Sequence, residues 1–179
     1  RGGASITRCP RHSTSGRGAT RCRCAAGWYG SDPARCKLCP RNRYCVGGAS
    51  VRRCPAHSTS RPGGTQEDAC RCLPGYTRRN GRCEKCPAGF FCPTVGGKPV
   101  KCPARSSSEA GAKDGRDCDC LKGFSQWNKG NRVAKTRAGP SCFPCAAGYY
   151  CPGGHRPSVC PADSTSDRGS DSARDCTCK

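Results

Sequence analysis

The order of the cysteines constrains this chain more than any other feature. Twenty-one of its 179 residues are cysteine, and they follow the spacing C-x5-C-x8/9-C-x15-C-x-C-xn-C-x2. This spacing runs from Cys39 to Cys83, again from Cys86 to Cys142, and begins a third time at Cys145. Its second half alone opens the chain, as Cys9, Cys22, Cys24 and Cys36. A fixed period of this length is typical of an array of small modules.

The period predicts four modules along the chain. Residues 1–36 would be the C-terminal half of a module and 39–83 a complete module. Residues 86–142 would be a complete module with a long hairpin loop, and 145–179 a module that lacks its last cysteine. The odd cysteine total agrees with this division, because it is the total expected of a continuous repeat cut within a module at both ends.

Composition indicates that disulfides, rather than an apolar core, hold these modules together. The chain has 24 Gly and 15 Pro, but four Phe, two Trp and no Met. Modules of about 45 residues bury too little apolar surface to fold on a core alone, whereas a disulfide that closes a loop of about 15 residues contributes roughly 3 kcal/mol. Because such bonds persist in oxidising compartments, we expect a protein that is extracellular, at the cell surface or in the secretory lumen.

Two phrases repeat together with the cysteines. One is C-x-C followed by two residues, a glycine and an aromatic residue, at Gly27-Trp28, Gly75-Tyr76 and Gly123-Phe124. It resembles the second half of an EGF-like module. The other is Cys86-Pro-Ala-Gly-Phe-Phe-Cys92 and Cys145-Ala-Ala-Gly-Tyr-Tyr-Cys151, which is similar to the ephrin-receptor-like cysteine-rich repeats of large modular surface proteins, many of them from protists. The resemblance implies a small disulfide-rich fold, an elongated tandem array of EGF-like modules with short β-hairpins and little helix.

The EGF-like resemblance also implies a disulfide pairing, in which the first cysteine joins the third, the second the fourth, and the fifth the sixth. Carried over to this sequence, it implies the pairs Cys24–Cys36, Cys39–Cys54, Cys45–Cys70, Cys72–Cys83, Cys86–Cys102, Cys92–Cys118, Cys120–Cys142, Cys145–Cys160 and Cys151–Cys176. It leaves Cys9 and Cys22 to pair upstream and Cys178 to pair downstream. A local Cys9–Cys22 bond is the alternative, since spacing alone does not determine connectivity.

The segment between the fifth and sixth cysteines of each module is predicted to form a two-stranded hairpin. In the first complete module, Asn80-Gly81 stands where a tight primed turn would close it. In the second, Cys120 and Cys142 enclose an insertion from Ser125 to Pro140. A loop that departs from a repeat template is a candidate for specific contacts, and tolerated loop growth is the alternative.

Catalysis and cofactor binding find little support in the sequence. Three C-x-x-C pairs could be redox or zinc sites, but each straddles a predicted module boundary, where one module ends and the next begins. His12 and His57 occupy equivalent positions that hold Arg105 and Asp163 in the later units, so a required ligand or base is not expected there. The linkers between modules lack the acidic cluster of calcium-binding EGF-like modules. We expect no enzyme activity, no metal and no other cofactor.

The charge is the second informative feature. Thirty-two Lys and Arg stand against 12 acidic residues, and residues 1–60 hold 12 basic residues with a single acidic one. Such a surface favours polyanions, including acidic or sulfated glycans, and acidic proteins; a merely solvated arginine-rich surface is the alternative. Nucleic acid is not expected in an oxidising compartment. The predicted partner-binding residues are Arg52, Arg53, Arg78, Arg79, Arg82, Trp127, Lys129 and Arg132.

These observations favour a non-catalytic extracellular structural or adhesive segment of a larger protein. It would be an extended scaffold that contacts other extracellular proteins, further copies in an assembly, or glycans. No apolar run approaches the roughly 20 residues that cross a bilayer, so no membrane span is expected in this segment. One alternative is the ligand-binding ectodomain of a receptor or adhesin. Another, from a different class, is a cysteine-rich protease inhibitor that uses the 121–141 loop.

Overall fold

The structure is a computed structural model that describes residues 8–128, 131–154 and 156–178. In this part of the chain the only helical elements are three one-turn 3-10 helices, at Glu67–Ala69, Gly115–Asp117 and Ala173–Asp175. The remaining regular structure is short β-hairpins joined by turns. The prediction of a small disulfide-rich fold with short hairpins and little helix is therefore confirmed.

The strands are two to five residues long, because turns and cysteines interrupt the chain every few residues. In chain order they are β1 (Ser13–Thr14), β2 (Arg23–Cys24), β3 (Trp28–Tyr29), β4 (Lys37–Leu38), β5 (Arg43–Gly47), β6 (Ser50–Arg53), β7 (Ser58–Thr59), β8 (Arg71–Cys72), β9 (Tyr76–Arg79), β10 (Arg82–Lys85), β11 (Phe90–Phe91), β12 (Val100–Lys101), β13 (Ser106–Ser107), β14 (Asp119–Cys120), β15 (Phe124–Ser125), β16 (Trp127–Asn128), β17 (Asn131–Arg132), β18 (Phe143–Pro144), β19 (Tyr149–Tyr150), β20 (Ser158–Val159), β21 (Ser164–Thr165) and β22 (Thr177–Cys178).

Each strand pairs with one partner, and nearly every pair joins neighbours along the chain. The two-stranded sheets are β1–β2, β3–β4, β5–β6, β7–β8, β9–β10, β11–β12, β13–β14, β16–β17, β19–β20 and β21–β22. The exception is β15–β18, which encloses the β16–β17 hairpin of the insertion. The predicted turn that closes β9 and β10 is confirmed, since Asn80 and Gly81 have φ of 48° and 77°, as a type I′ turn requires.

Side-chain carboxyl and hydroxyl groups cap two of the 3-10 helices. Asp114 and Asp117 form a capping box around Gly115–Asp117, and Ser172 and Asp175 do the same around Ala173–Asp175. These boxes satisfy amide groups that a one-turn helix leaves without intrahelical acceptors. They hold the segments just before the doublets Cys118-Asp-Cys120 and Cys176-Thr-Cys178.

Disulfide sulfur occupies most of the interior. Among the described residues, thirteen of the sixteen buried hydrophobic residues are cysteines, and the other three are Tyr44, Phe91 and Ala112. In one cluster Phe91 and Ala112 pack with Cys102 and Cys118. The apolar interior is thus small, as expected where covalent bonds rather than burial supply the stability.

The chain forms two contact units: Arg1–Leu73 with Arg78–Cys83, and Pro74–Thr77 with Glu84–Lys179. Within each unit, backbone hydrogen bonds cross the predicted module boundaries. In the first, the Cys39 N–H donates to the Gly27 carbonyl at 2.9 Å, and the Gly27 N–H donates to the Cys45 carbonyl at 2.8 Å. In the second, Gly75 and Gly123 make the corresponding bonds to the cysteines that follow them. The C-x-C-x-x-G segment therefore packs on the start of the next predicted module.

The disulfide pairing differs from the one that the EGF-like resemblance implies. The cysteines pair two by two in chain order. The pairs are Cys9–Cys22, Cys24–Cys36, Cys39–Cys45, Cys54–Cys70, Cys72–Cys83, Cys86–Cys92, Cys102–Cys118, Cys120–Cys142, Cys145–Cys151 and Cys160–Cys176. Three implied pairs are present: Cys24–Cys36, Cys72–Cys83 and Cys120–Cys142. Six are wrong: Cys39–Cys54, Cys45–Cys70, Cys86–Cys102, Cys92–Cys118, Cys145–Cys160 and Cys151–Cys176.

Two adjacent glycines of the loop after β7 explain why Cys39 bonds to Cys45. The Gly63 N–H donates to the Cys39 carbonyl at 2.8 Å, and the Cys45 N–H donates to the carbonyl of the neighbouring Gly64 at 2.9 Å. Two consecutive residues thus hold Cys39 and Cys45 side by side, with their Cα atoms 5.8 Å apart. That separation is within the range of about 4.4–6.8 Å that a disulfide spans. The loop acts as a template that brings together the first and second cysteines.

The cysteines near the ends of the chain also correct the implied scheme. Cys9 and Cys22 bond to each other, with Cα atoms 5.7 Å apart, as in the local alternative. Cys178 is exposed and has no disulfide partner among the described residues. A downstream partner for Cys178 stays a prediction.

Candidate partner-binding surfaces

A basic groove of about 720 Å³ lies beside the β5–β6 hairpin of the first contact unit. We call it the arginine groove. Its lining residues are Arg41, Asn42, Arg43, Arg53, Cys54, Ser58, Thr59 and Leu73. Three arginines therefore line one concavity, whose other residues are mainly small and polar.

The strand register places two of these arginines opposite each other. Arg43 on β5 pairs with Arg53 on β6, and like charges directly opposite on a hairpin destabilise it. Arg41, Arg43 and Arg53 form no ion pair with any residue in the described part of the chain. The groove therefore has excess positive charge that no carboxylate of the described residues neutralises.

The arginines predicted to bind a partner lie in different environments. Arg53 lines the arginine groove, while Arg52 is exposed on the same strand, opposite Tyr44. Arg79 and Arg82 are exposed on β9 and β10.

Arg78, also on β9, donates a hydrogen bond from Nη2 to the Cys70 carbonyl. This contact gives Arg78 a structural role as well. Whether any of these arginines binds a partner stays a prediction.

Sequence reasoning missed Arg41 and Arg43. The signal was available in the lead-in phrase, which reads Cys39-Pro-Arg-Asn-Arg-Tyr-Cys45 in the first complete unit. The corresponding phrases of the later units have Ala-Gly-Phe-Phe and Ala-Gly-Tyr-Tyr at the four positions before the second cysteine. The three phrases share their cysteine spacing, so the basic residues of the first phrase are seen only when the phrases are compared position by position.

An apolar groove of about 340 Å³ lies in the second contact unit. Its lining residues are Ser125, Trp127, Ala146, Tyr149, Arg156, Pro157 and Val159. Tyr149 and Val159 are cross-strand partners in β19–β20 and are 39% and 67% exposed. Trp127 is half-buried on the β16–β17 hairpin. The insertion thus contributes one aromatic wall to this groove. Lys129 lies outside the described residues.

The rest of the insertion is anchored to the repeat. Lys135 Nζ lies 2.5 Å from Asp119 Oδ1 and donates to the Arg116 carbonyl at 2.9 Å, and the Lys135 side chain is only 14% exposed. The Gly115 N–H donates to the Arg137 carbonyl at 3.0 Å. By contrast, Arg132 is exposed on β17. Lys135 is thus engaged within the fold while Arg132 is not, and the protease-inhibitor alternative stays a prediction.

The 3-10 helix beneath this anchor has its own charged contact. Arg116 Nη2 lies 2.8 Å from Asp114 Oδ2. Hydrogen bonds from the Arg116 side chain and then from its backbone N–H hold the pKa of the Asp114 carboxyl below its ordinary value. The helix cap is therefore ionised at neutral pH, and it is lost only as acid titrates Asp114.

Replacing Lys135 by methionine is expected to loosen the insertion. Removal of the ammonium leaves Asp119 and the Arg116 carbonyl without this donor, so local opening should become easier by roughly 1 kcal/mol. Trypsin cleavage after Arg137 should then accelerate by about fivefold, because cleavage of a folded segment follows the population of its open form. Mass spectrometry of timed digests measures the rate. The exposed Lys122→Met is the matched control, and equal rates in the two variants would contradict the anchor.

In two units, the residue before the serine of the C-P-x-x-S turn packs on the aromatic residue that follows C-x-x-G. His12 stacks on Trp28 with ring centroids 3.6 Å apart, and the Arg105 guanidinium lies 5.0 Å from the centroid of the Phe124 ring. Both residues have positive φ, 64° and 63°. A flat imidazole and a flat guanidinium can each make this contact. The position therefore tolerates the change from His to Arg that the sequence shows.

Neither a metal site nor a membrane span is visible in what the structure describes. No group of three or more His, Cys, Asp or Glu side chains among those residues could hold a metal ion. In the same residues no helix is long and apolar enough to cross a membrane. No protein-family model and no curated protein matches this sequence.

Proposed function

We propose that the chain is a non-catalytic extracellular segment of a tandem cysteine-rich repeat protein, of the ephrin-receptor-like kind, which serves as a structural or adhesive scaffold. Sequential disulfides and repeated hairpins support the scaffold role. The EGF-like likeness is limited to the C-x-C-x-x-G-aromatic phrase, since the pairing of the preceding cysteines differs. Partners would be other extracellular proteins, further copies of the repeat, or acidic and sulfated glycans.

The observation that carries the proposal is the uncompensated basic surface on a covalently braced frame. Between Pro33 and Gln66 the chain has seven Lys and Arg and no acidic residue. The disulfides Cys24–Cys36, Cys39–Cys45 and Cys54–Cys70 brace this segment, and four of its basic residues lie on short strands. A rigid surface loses little conformational entropy when it binds, and clustered positive charge attracts polyanions.

A second candidate is the ligand-binding ectodomain of a receptor or adhesin. The apolar groove favours it, because ligand sites are concave and are lined by aromatic and apolar side chains with a few polar groups. Arg156 would there face an anionic group of a ligand whose apolar part contacts Trp127, Tyr149 and Val159.

Heparin chromatography of the oxidised chain tests the polyanion part of the proposal. We expect retention at ~0.15 M NaCl, where charges farther apart than about 8 Å are largely screened, and elution only at several-fold higher salt. A sulfopropyl column of similar charge density is the control for net charge, and elution from heparin should need more salt than elution from sulfopropyl. Passage through heparin without retention would contradict the polyanion contact.

A further inference from the structure

Three consecutive residues of the first complete unit are more polar or more basic than their counterparts in the later units. The three residues before the aromatic at the end of the lead-in phrase are Arg41-Asn42-Arg43 in that unit. The corresponding residues are Ala88-Gly89-Phe90 and Ala147-Gly148-Tyr149. All three residues of the first unit line the arginine groove.

The cross-strand partners change in the same sense. The hairpins that follow the lead-in phrases pair Arg43 with Arg53, Phe90 with Lys101, and Tyr149 with Val159. The same pair of positions is therefore doubly cationic in one unit, mixed in the second and apolar in the third.

Asn42 occupies a backbone conformation that favours glycine. Its φ is 62°, where Gly89 and Gly148 have φ of 77° and 78°. Asparagine tolerates this region better than most residues but less well than glycine. Its Oδ1 accepts a hydrogen bond from Thr59 Oγ1 at 2.5 Å, which orients the amide and leaves Nδ2 as a donor.

We propose that the arginine groove is a specific binding site for the sulfate groups of a sulfated glycan. The inference rests on the proposed function and names its site and ligand class. Planar guanidinium groups bind tetrahedral oxyanions through two parallel N–H···O bonds. The groove supplies three of them, and an anion between Arg43 and Arg53 would remove their mutual repulsion.

The other residues that line the arginine groove favour a glycan over an acidic peptide as its ligand. The Ser58 hydroxyl donates to the Pro55 carbonyl at 2.7 Å, and the Thr59 hydroxyl donates to Asn42. The donors left for a ligand are therefore the guanidinium groups and the Asn42 amide. Leu73 is the main apolar residue of the lining, so apolar side chains of a peptide would find little to pack against. A densely sulfated, hydroxyl-rich chain needs no such contact.

Calorimetric titration of the full chain with a heparin-derived hexasaccharide at ~0.15 M NaCl tests the site. The main variant combines Arg41→Ala, Asn42→Gly, Arg43→Phe and Arg53→Lys, which gives the groove the residues that the second unit already has. We expect its dissociation constant to rise by at least about tenfold. The matched control, Arg17→Ala with Arg21→Ala, removes the same net charge from exposed positions of the same contact unit, and its change should stay within about threefold.

A second variant keeps the charge and removes the guanidinium geometry. Arg41→Lys with Arg43→Lys should weaken binding by about three- to tenfold, because an ammonium group does not make the paired bonds. If this variant bound the hexasaccharide with unchanged affinity, recognition of sulfate through paired guanidinium bonds would be overturned. Thermal midpoints and disulfide maps equal to those of the parent chain show that each variant is folded.

The outcomes separate the inference from the proposed function. Equal losses in the groove variant and the control would overturn the specific site and leave general polyanion binding in place. Tighter groove-dependent binding of a polyglutamate peptide than of the hexasaccharide would overturn the glycan class. Absence of any hexasaccharide binding by the parent chain, together with passage through heparin, would overturn both.

Discussion

Replacing Gly123 by alanine is expected to lower the free energy of unfolding by about 4 kcal/mol, a loss typical of backbone clashes at strained positions. Gly123 has φ of 77°, and a Cβ atom there would lie 2.6 Å from the Gly169 carbonyl oxygen. Since that oxygen belongs to the backbone, neither group can move aside without breaking the Gly123 hydrogen bonds to Cys145 and Cys151. The measurement is urea unfolding of the oxidised chain, followed by the near-ultraviolet signal of the aromatic residues.

Gly81→Ala is the matched control. Gly81 has the same φ of 77°, but a Cβ atom there meets nothing within 4 Å. Its replacement should therefore cost only the left-handed backbone term of about 1–2 kcal/mol. Equal losses for Gly123→Ala and Gly81→Ala would show that close approach to Gly169 is not the reason. A Cβ atom at Gly27 or Gly75 would lie 2.8 Å from the carbonyl oxygen of Gly63 or Gly111, respectively, so alanine at either position should behave like Gly123→Ala.

Replacing Cys54 by alanine is expected to release Cys70 as a free thiol and to cost about 3 kcal/mol of stability. The bond between them closes a loop of 16 residues, and a loop of that length accounts for a loss of this size on the chain-entropy model. Alkylation without reduction, followed by peptide mass mapping, identifies the free thiol. The exposed Cys178 should be labelled in every sample and so reports that labelling succeeded.

The two pairing schemes predict different labelled residues in this variant. With the sequential pairing, Cys54→Ala labels Cys70, whereas the EGF-like scheme would label Cys39. The companion variant Cys39→Ala should label Cys45 and lose less stability, about 2 kcal/mol, because that bond closes a loop of only six residues. Labelling of Cys39 in the Cys54→Ala chain would contradict the pairing in the structure.

The hairpins and their turns were predictable because they depend on local sequence. Asn80-Gly81 closes β9–β10 since those two residues tolerate positive φ, and the bonds Cys24–Cys36, Cys72–Cys83 and Cys120–Cys142 join the ends of short segments. The remaining pairs were not predictable in the same way. Six cysteines of similar spacing admit several connectivities, and the resemblance led to the wrong one for the first four of each unit.

The candidate site was predictable only in part, for a related reason. Charge counts placed the basic excess in the first third of the chain and selected Arg53, but the partners Arg41 and Arg43 come from a different strand and its preceding turn. They meet Arg53 through the β5–β6 register, which a charge count does not contain. The anchor of the insertion, from Lys135 to Asp119, likewise joins residues that no local pattern links.

Cysteine order and turn residues were enough to establish that this is a repeated, disulfide-stabilised chain of short hairpins. The repeat period, the loop lengths and the turn residues each act over a few positions of the sequence. Which cysteines bond, and which arginines share a groove, depended on backbone hydrogen bonds between distant segments. Gly63 and Gly64 bring Cys39 beside Cys45, and the hairpin register brings Arg43 beside Arg53. Both are long-range geometric facts, and spacing along a sequence carries no direct record of them.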